Sequence, residues 1–175
     1  MASALQPLRD EHKALLANIE DLRSVADVAG EVPAGLLRQG LADACRFLAD
    51  MVIPQLEAEA RAVFPRIVRL VGAAIVTAPM ERDLAEIRRL TSVLRQLHEH
   101  EGEVTSGEDR KTLRRALYAL SILIPLHFRK EEDLYFAMLE NALDTREVQR
   151  LFQDMDTDRF APTGPPAHPN GRDQS

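Results

Sequence analysis

Two pairs of polar residues with the spacing of a metal chelate lie in otherwise apolar segments of this chain. His127 and Glu131 are four residues apart, and so are Gln55 and Glu59. Residues four apart lie on one face of a helix, about one turn from each other, and can point at a common centre. His12 lies in a similar apolar setting near the N-terminus. Imidazole, carboxylate and amide groups that converge in a core would suit a divalent transition metal.

Apolar residues recur at helical spacing through four long stretches, and no run alternates as a half-buried β-strand would. We therefore expect an all-α protein. In the first two stretches the predicted core positions are Leu8, Leu15, Ile19, Leu22 and Ala26, then Leu37, Leu41, Ala44, Leu48, Met51, Ala62 and Ile67. In the last two they are Met80, Leu84, Ile87, Leu90, Leu94 and Leu97, then Leu113, Leu117, Leu120, Ile124, Leu134 and Met138. The polar pairs fall within the second and fourth stripes, and His12 falls within the first.

The two halves of the chain repeat each other at an offset of 72 residues, since 127 − 55 = 72. The two polar pairs then align, and each follows a proline, Pro54 or Pro125. A proline removes one helical hydrogen bond and bends a helix, which would make room at that level of the core. Each half resembles an αα-hairpin. Two hairpins packed about a pseudo-twofold axis predict an antiparallel up-down-up-down four-helix bundle with internal duplication.

The length of 175 residues and the hydrophobic content of 45% suit one domain with a single core. We expect this domain to span residues 1–157, with a short fifth helix at Thr145–Met155. The proline- and glycine-rich tail, residues 158–175, has a composition that should bury nothing, so we expect it to be disordered.

Composition also limits the partners and the compartment. The net charge of −6 is spread without a basic stripe, which argues against nucleic acid. The N-terminus lacks a secretory pattern, and no apolar run approaches the roughly 20 residues that span a bilayer. The single cysteine, Cys45, allows no internal disulfide. We expect a cytoplasmic protein with neither a nucleic-acid nor a membrane partner.

The two glutamates impose the strongest physical constraint. An ionised carboxylate buried without a partner is very costly, so Glu59 and Glu131 each need a metal, another cation or a proton. Mutual neutralisation with the imidazoles, without metal, is the alternative to a metal site. The rest of the charged run at residues 129–133 is expected to be a solvated face, since only Glu131 falls on the core stripe.

The order of these residues resembles the hemerythrin-like (HHE, cation-binding) family from about Leu5 to Glu140. The resemblance is carried by Leu-Arg-Asp-Glu-His12, Ile-Pro-Gln55-Leu-Glu-Ala-Glu59, Met-Glu-Arg-Asp-Leu84-Ala-Glu-Ile and His127-Phe-Arg-Lys-Glu131-Glu. It implies a four-helix bundle with a non-haem di-iron centre, in which two glutamates bridge the irons and histidines complete each one. It also implies a link to oxygen binding, iron handling, or sensing of oxygen or nitric oxide.

Two positions depart from the family pattern. Gln55 replaces the second histidine and Leu84 replaces the third. Gln55 can offer a carbonyl oxygen, a weaker ligand, whereas Leu84 can offer nothing. The predicted ligands are therefore His12, Glu59, His127 and Glu131, with or without Gln55, around one or two Fe ions. Mn or Zn would also suit this set, and Zn would compete well with Fe(II).

Three functions remain open on the sequence. The first is a metal-binding protein with a depleted His/Glu site that responds to iron, oxygen, nitric oxide or redox state. The second is a metal-free bundle that serves as a scaffold or a protein-interaction domain, which Gln55 and Leu84 favour. The third, an oxygen-using di-iron enzyme, is weaker, because the sequence identifies no substrate-binding residues.

Overall fold

A computed structural model describes residues 3–99 and 106–159, and within these ranges every regular element is helical. The all-α prediction is therefore confirmed. The α-helices are α1 Gln6–Val28, α2 Ala34–Phe47, α3 Ile53–Ala62, α4 Phe64–Val71, α5 Ala78–Glu99, α6 Gly107–Lys130, α7 Ala137–Ala142 and α8 Thr145–Arg159. A short 3₁₀ turn, Ala74–Val76, connects α4 to α5.

Local sequence signals account for several helix ends. The Ser106 side chain accepts a hydrogen bond from the backbone N–H of Asp109 at 3.0 Å and so caps the start of α6. Gly72 ends α4 in the left-handed conformation, with φ of 76°, which a residue without Cβ adopts at little cost. Pro33 immediately precedes α2, where its missing N–H is not needed.

Two π-helical segments interrupt the long helices of the second and fourth stretches. Leu48–Val52 joins α2 to α3, and Glu131–Phe136 joins α6 to α7. The wider π turn adds a residue to the helical repeat, so the side chains beyond it change face. This corrects the predicted stripes: Met51, Leu134 and Met138 are exposed, although regular periodicity assigned them to the core. Their core positions are taken by residues one further along the chain, Val52, Tyr135 and Leu139.

Each of the long helices α1, α2, α5 and α6 packs against two of the others. Helix α1 packs against α2 and α6, and α5 packs against α2 and α6. The predicted fifth helix is present as α8, which packs against α3 and extends to Arg159. From residue 160 onward the predicted tail lies outside the described residues. No helix within the described ranges has both the length and the apolar character needed to cross a membrane.

Buried apolar side chains form two clusters. The larger cluster lies between α1, α2, α5 and α6 and includes Leu15 and Phe128. The smaller cluster, which includes Leu8 and Tyr135, joins the start of α1 to α4, α7 and α8. His12 lies along the chain between Leu8 and Leu15, and Glu131 lies between Phe128 and Tyr135. The polar residues therefore form a layer between the two clusters, which we call the polar layer.

Candidate metal centre

All five predicted ligand residues are buried. His12, Gln55, Glu59, His127 and Glu131 are each 6% exposed or less. They come from α1, α3, α6 and the start of the second π segment, so separate elements must pack together before these groups can meet. We expected these polar residues to be buried because they interrupt apolar stripes, and all five are buried.

His12 is held by a carboxylate at each ring nitrogen. Its Nε2 lies 2.8 Å from Glu59 Oε1, and its Nδ1 lies 2.8 Å from Glu132 Oε1. Burial alone would lower the pKa of His12, but the two carboxylates outweigh it and raise that pKa above its ordinary value. Each ring nitrogen of His12 thus faces a carboxylate, which favours the protonated form of the imidazole.

Aromatic rings fix the orientation of His12. The imidazole stacks on Phe128, with ring centroids 4.0 Å apart, and on Phe136, with centroids 5.5 Å apart. In a regular helix eight residues make 2.2 turns, so the second ring would lie about 80° away from the first. The π segment between them offsets this rotation and brings both rings to His12.

The glutamates of the two polar pairs differ in their hydrogen bonds. Glu59 Oε1 lies 2.8 Å from His12 Nε2 and accepts a hydrogen bond of 2.8 Å from Gln55 Nε2. Glu59 Oε2 and both oxygens of Glu131 have no hydrogen-bond partner among the described residues. Burial and the nearby charge of Glu59 hold the pKa of Glu131 well above its ordinary value. No N–H or hydroxyl of the described residues reaches these three buried oxygens, and the partner of the Glu131 carboxyl is the carboxyl of Glu59, with which a protonated Glu131 shares a hydrogen bond.

Three of the five residues form a compact group. One ligand atom from each of His12, Glu59 and Glu131 lies within 4.8 Å of the other two. Gln55 contacts this group through its hydrogen bond to Glu59. The amide N–H of Gln55 points at the Glu59 carboxylate. His127 is buried in the same layer but is not a member of the group.

His127 has a different environment from His12. Its Nδ1 lies 3.5 Å from Asp83 Oδ2 on α5, a longer contact than either of those that His12 makes. Asp83 also bonds the Lys130 ammonium, which competes for its negative charge. Burial lowers the pKa of His127 to about 4, because no carboxylate compensates for the lost hydration as fully as at His12. His127 is therefore a neutral imidazole at pH 7, the form that ligates metals.

Sequence reasoning missed Glu132 and Asp83. Glu132 was assigned to a solvated face, yet it contacts His12 Nδ1, and Asp83 was given no role. A histidine that ligates through one nitrogen commonly has a carboxylate at the other. Both residues stand next to a motif position in the sequence, Glu132 after Glu131 and Asp83 before Leu84, and this adjacency could have indicated them. Periodicity alone could not select them, because neither lies on an apolar stripe.

Tyr135 lies close to Glu131 along the chain but is engaged elsewhere. Its hydroxyl donates a hydrogen bond of 2.7 Å to the backbone oxygen of Val76. Burial, followed by the charge of Glu131, raises the pKa of Tyr135 to about 12. The phenol therefore stays protonated and ties the second π segment to the turn before α5.

Comparison with known proteins gives one match. The family described as Hemerythrin HHE cation binding domain matches residues 3–139. The chain belongs to this family. The match covers α1 to α6, the second π segment and every residue of the polar layer, and ends within α7. A hemerythrin domain implies binding of a metal cation. No curated protein and no solved structure matches the chain.

The buried groups fit such a cation. A positive ion among His12, Glu59 and Glu131 would supply the missing partners of three orphaned oxygens. It would also relieve the repulsion between the two carboxylates. The donor set of nitrogen and carboxylate oxygen is one that Fe, Mn and Zn accept.

Proposed function

We propose that this hemerythrin-family protein binds a single metal ion in the polar layer, with His12, Glu59 and Glu131 as its principal ligands. The orphaned oxygens of Glu131 are the observation that carries the proposal. A native core seldom leaves a buried carboxylate without any donor, and a cation is the partner that satisfies both of its oxygens. His127 and Gln55 complete the predicted ligand set from the adjoining positions.

The surrounding residues would prepare the ligands. Glu132 accepts the Nδ1 proton of His12, so that Nε2, which faces Glu59, would ligate the metal once it has released its own proton. Phe128 and Phe136 hold the imidazole plane in place. Leu84 supplies no donor, which favours one ion over the two-metal centre of the family pattern. When bound, Fe(II) would supply a redox-active centre that can bind a small gas.

A response to iron, oxygen, nitric oxide or redox state is the role that we infer for this site. Family membership and the buried position of the site support it. The proposal includes an antiparallel four-helix bundle with duplicated halves, spanning residues 1–157 and located in the cytoplasm. The aligned polar pairs and the contacts of α1, α2, α5 and α6 support this topology.

Anaerobic reconstitution with Fe(II), followed by metal analysis, tests the proposal. The parent should retain about one ion per chain, and Glu131→Gln and His12→Gln should retain much less, because each removes a principal ligand. Glu86→Gln is the matched control, since Glu86 is an exposed glutamate paired with Arg89 on α5. Equal metal content in the parent and the two ligand variants would refute the assignment.

A metal-free scaffold is the second candidate, and one observation favours it. His12, Gln55 and Glu59 already bond one another without metal, so only Oε2 of Glu59 lacks a hydrogen-bond partner in this part of the site. This candidate predicts that a chelator leaves the melting temperature of the purified protein unchanged. The metal-binding proposal predicts a lower melting temperature, since a ligand that binds only the folded state stabilises it.

A further inference from the structure

Four large apolar side chains along the fourth stretch are exposed. Ile122 is 67% exposed, Leu126 49%, Leu134 53% and Met138 39%. They are separated by four, eight and four residues. Residues four apart are neighbours on a helix surface, so the four side chains form one ridge about 24 Å long. We call it the α6 ridge.

The second π segment creates half of this ridge. Leu134 and Met138 follow Glu131 by three and seven residues, so a regular helix would place them on its buried face. The π turn moves them outward and gives their core positions to Tyr135 and Leu139. The backbone irregularity that presents Phe136 to His12 therefore also extends an apolar surface.

The spacing of the ridge reads the same in both directions. An antiparallel second copy would place Ile122 opposite Met138, and Leu126 opposite Leu134. Lys130 lies at the midpoint, where its ammonium is bonded to Asp83 of its own chain. The central charge is thus already paired, which lowers the repulsion between two copies at the axis.

Charge complementarity also fits a second copy. Arg129 and Asp133 are exposed beside the midpoint of the ridge, and neither forms an ion pair within the part of the chain that the structure describes. Antiparallel pairing about Lys130 brings Arg129 of each copy within two residues of the level of Asp133 of the other, about 3 Å along the helix axis, which the long arginine side chain can span. The ridge and its flanking charges therefore complement themselves under a twofold rotation.

We propose that the α6 ridge is the interface of a symmetric homodimer. A twofold interface uses the same patch on both subunits, which is what the self-complementary spacing provides. Rows of residues four apart on two helices interlock at a crossing angle of about 50°. The proposal does not depend on metal binding, because none of the four apolar residues belongs to the polar layer.

Sedimentation velocity from about 1 to about 200 μM tests the association. The parent should form dimers as its concentration rises, and the double variant Leu126→Asp with Leu134→Asp should raise the dissociation constant more than about tenfold. Leu36→Asp is the matched control, because Leu36 is 61% exposed on α2, away from the ridge. A parent that stays monomeric would mean that the C-terminal segment or another protein covers the ridge, and would overturn the proposal.

A charge swap tests the antiparallel register without altering the apolar residues. Arg129→Asp and Asp133→Arg should each weaken the dimer, since each places like charges across the interface. The two substitutions together should restore the parent dissociation constant. Circular dichroism checks that every variant is folded. A double variant that associates no better than the single ones, or a dimer that survives loss of the apolar ridge, would also overturn the proposal.

Discussion

Glu59 and Glu131 each follow a polar residue by four positions, yet their surroundings are opposite. Glu59 is bonded by His12 and by Gln55, which lies four residues before it. Glu131 also follows a polar residue, His127, by four residues, but neither of its oxygens has a donor among the described residues. The difference follows from the residue that precedes each glutamate. An amide donates directly to its neighbour, whereas the His127 ring has its Nδ1 toward Asp83.

The comparison shows that half of the site is satisfied by protein groups and half depends on a proton or a metal. Protein groups hold Glu59 in place whether or not an ion is present. No N–H or hydroxyl of the described residues donates to Glu131, so an incoming cation would displace only the proton that it shares with Glu59. We therefore expect Glu131 to dominate metal affinity and Glu59 to dominate metal-free stability.

The largest expected effect is on the stability of the metal-free protein. Glu59→Met removes the anion between His12 and Gln55 and should cost about 3–5 kcal/mol, the usual penalty for breaking a buried ion pair. Glu131→Met removes a carboxyl group without a donor and should be neutral or stabilise by about 1–3 kcal/mol. Urea unfolding with chelator present measures both. Equal destabilisation by the two variants would contradict the comparison.

The next largest effect should be on the pH dependence of stability, in which His127 and Glu131 act in opposite directions. The pKa of His127 is about 4 in the folded protein and 6.5 ordinarily. Between these values the unfolded chain binds the extra proton, so acidification from pH 6.5 to pH 4 should cost about 3 kcal/mol of the free energy of unfolding. Urea titrations of the metal-free parent and His127→Gln should show this loss only in the parent.

Glu131 should act in the opposite direction. Its folded pKa lies above the ordinary value of 4.5, so the folded chain holds a proton that the unfolded chain has released. The contribution of Glu131 to the free energy of unfolding should therefore fall as the pH rises above about 4.5. Because His127 acts in the opposite sense between about pH 4 and pH 6.5, the decline is measured in metal-free His127→Gln, where adding Glu131→Gln should remove it. A His127→Gln protein whose stability does not fall with rising pH above about 4.5 would contradict the raised pKa of Glu131.

A smaller effect should follow from restoring the missing histidine. Gln55→His places an imidazole four residues before Glu59 and should tighten binding of Zn or Fe(II) at least about tenfold. Competition with a chromophoric chelator measures the affinity. Gln39→His, at an exposed position on α2, controls for an added histidine. Unchanged affinity in Gln55→His would place the ion outside the reach of position 55.

The smallest effect on metal affinity should come from Glu132 and Asp83, the carboxylates beside Nδ1 of His12 and of His127. Glu132→Gln should weaken metal binding by about tenfold, because Glu132 orients the His12 ring through Nδ1. Asp83→Asn should weaken it less, since His127 is outside the compact group. The same chelator competition ranks the two variants. A larger loss in Asp83→Asn would make His127 the more important ligand.

Much of the architecture could be predicted from the amino-acid sequence alone. The all-α class followed from apolar spacing, and the fifth helix followed from a short amphipathic segment, because a helix repeats its side-chain directions every few residues. The burial of His12, Glu59 and Glu131 could be predicted for the same reason. Each interrupts an apolar stripe at a position that the helical repeat turns inward.

Only the folded structure decided the rest. The π segments moved Met51, Leu134 and Met138 outward, the partners of the histidines came from side chains off the stripes, and the bond from Gln55 distinguished Glu59 from Glu131. Helical periodicity is a local property of the backbone, so the sequence determines it directly. Hydrogen-bond satisfaction and the insertion of a π turn depend on which distant groups meet, and that is settled only when separate helices pack.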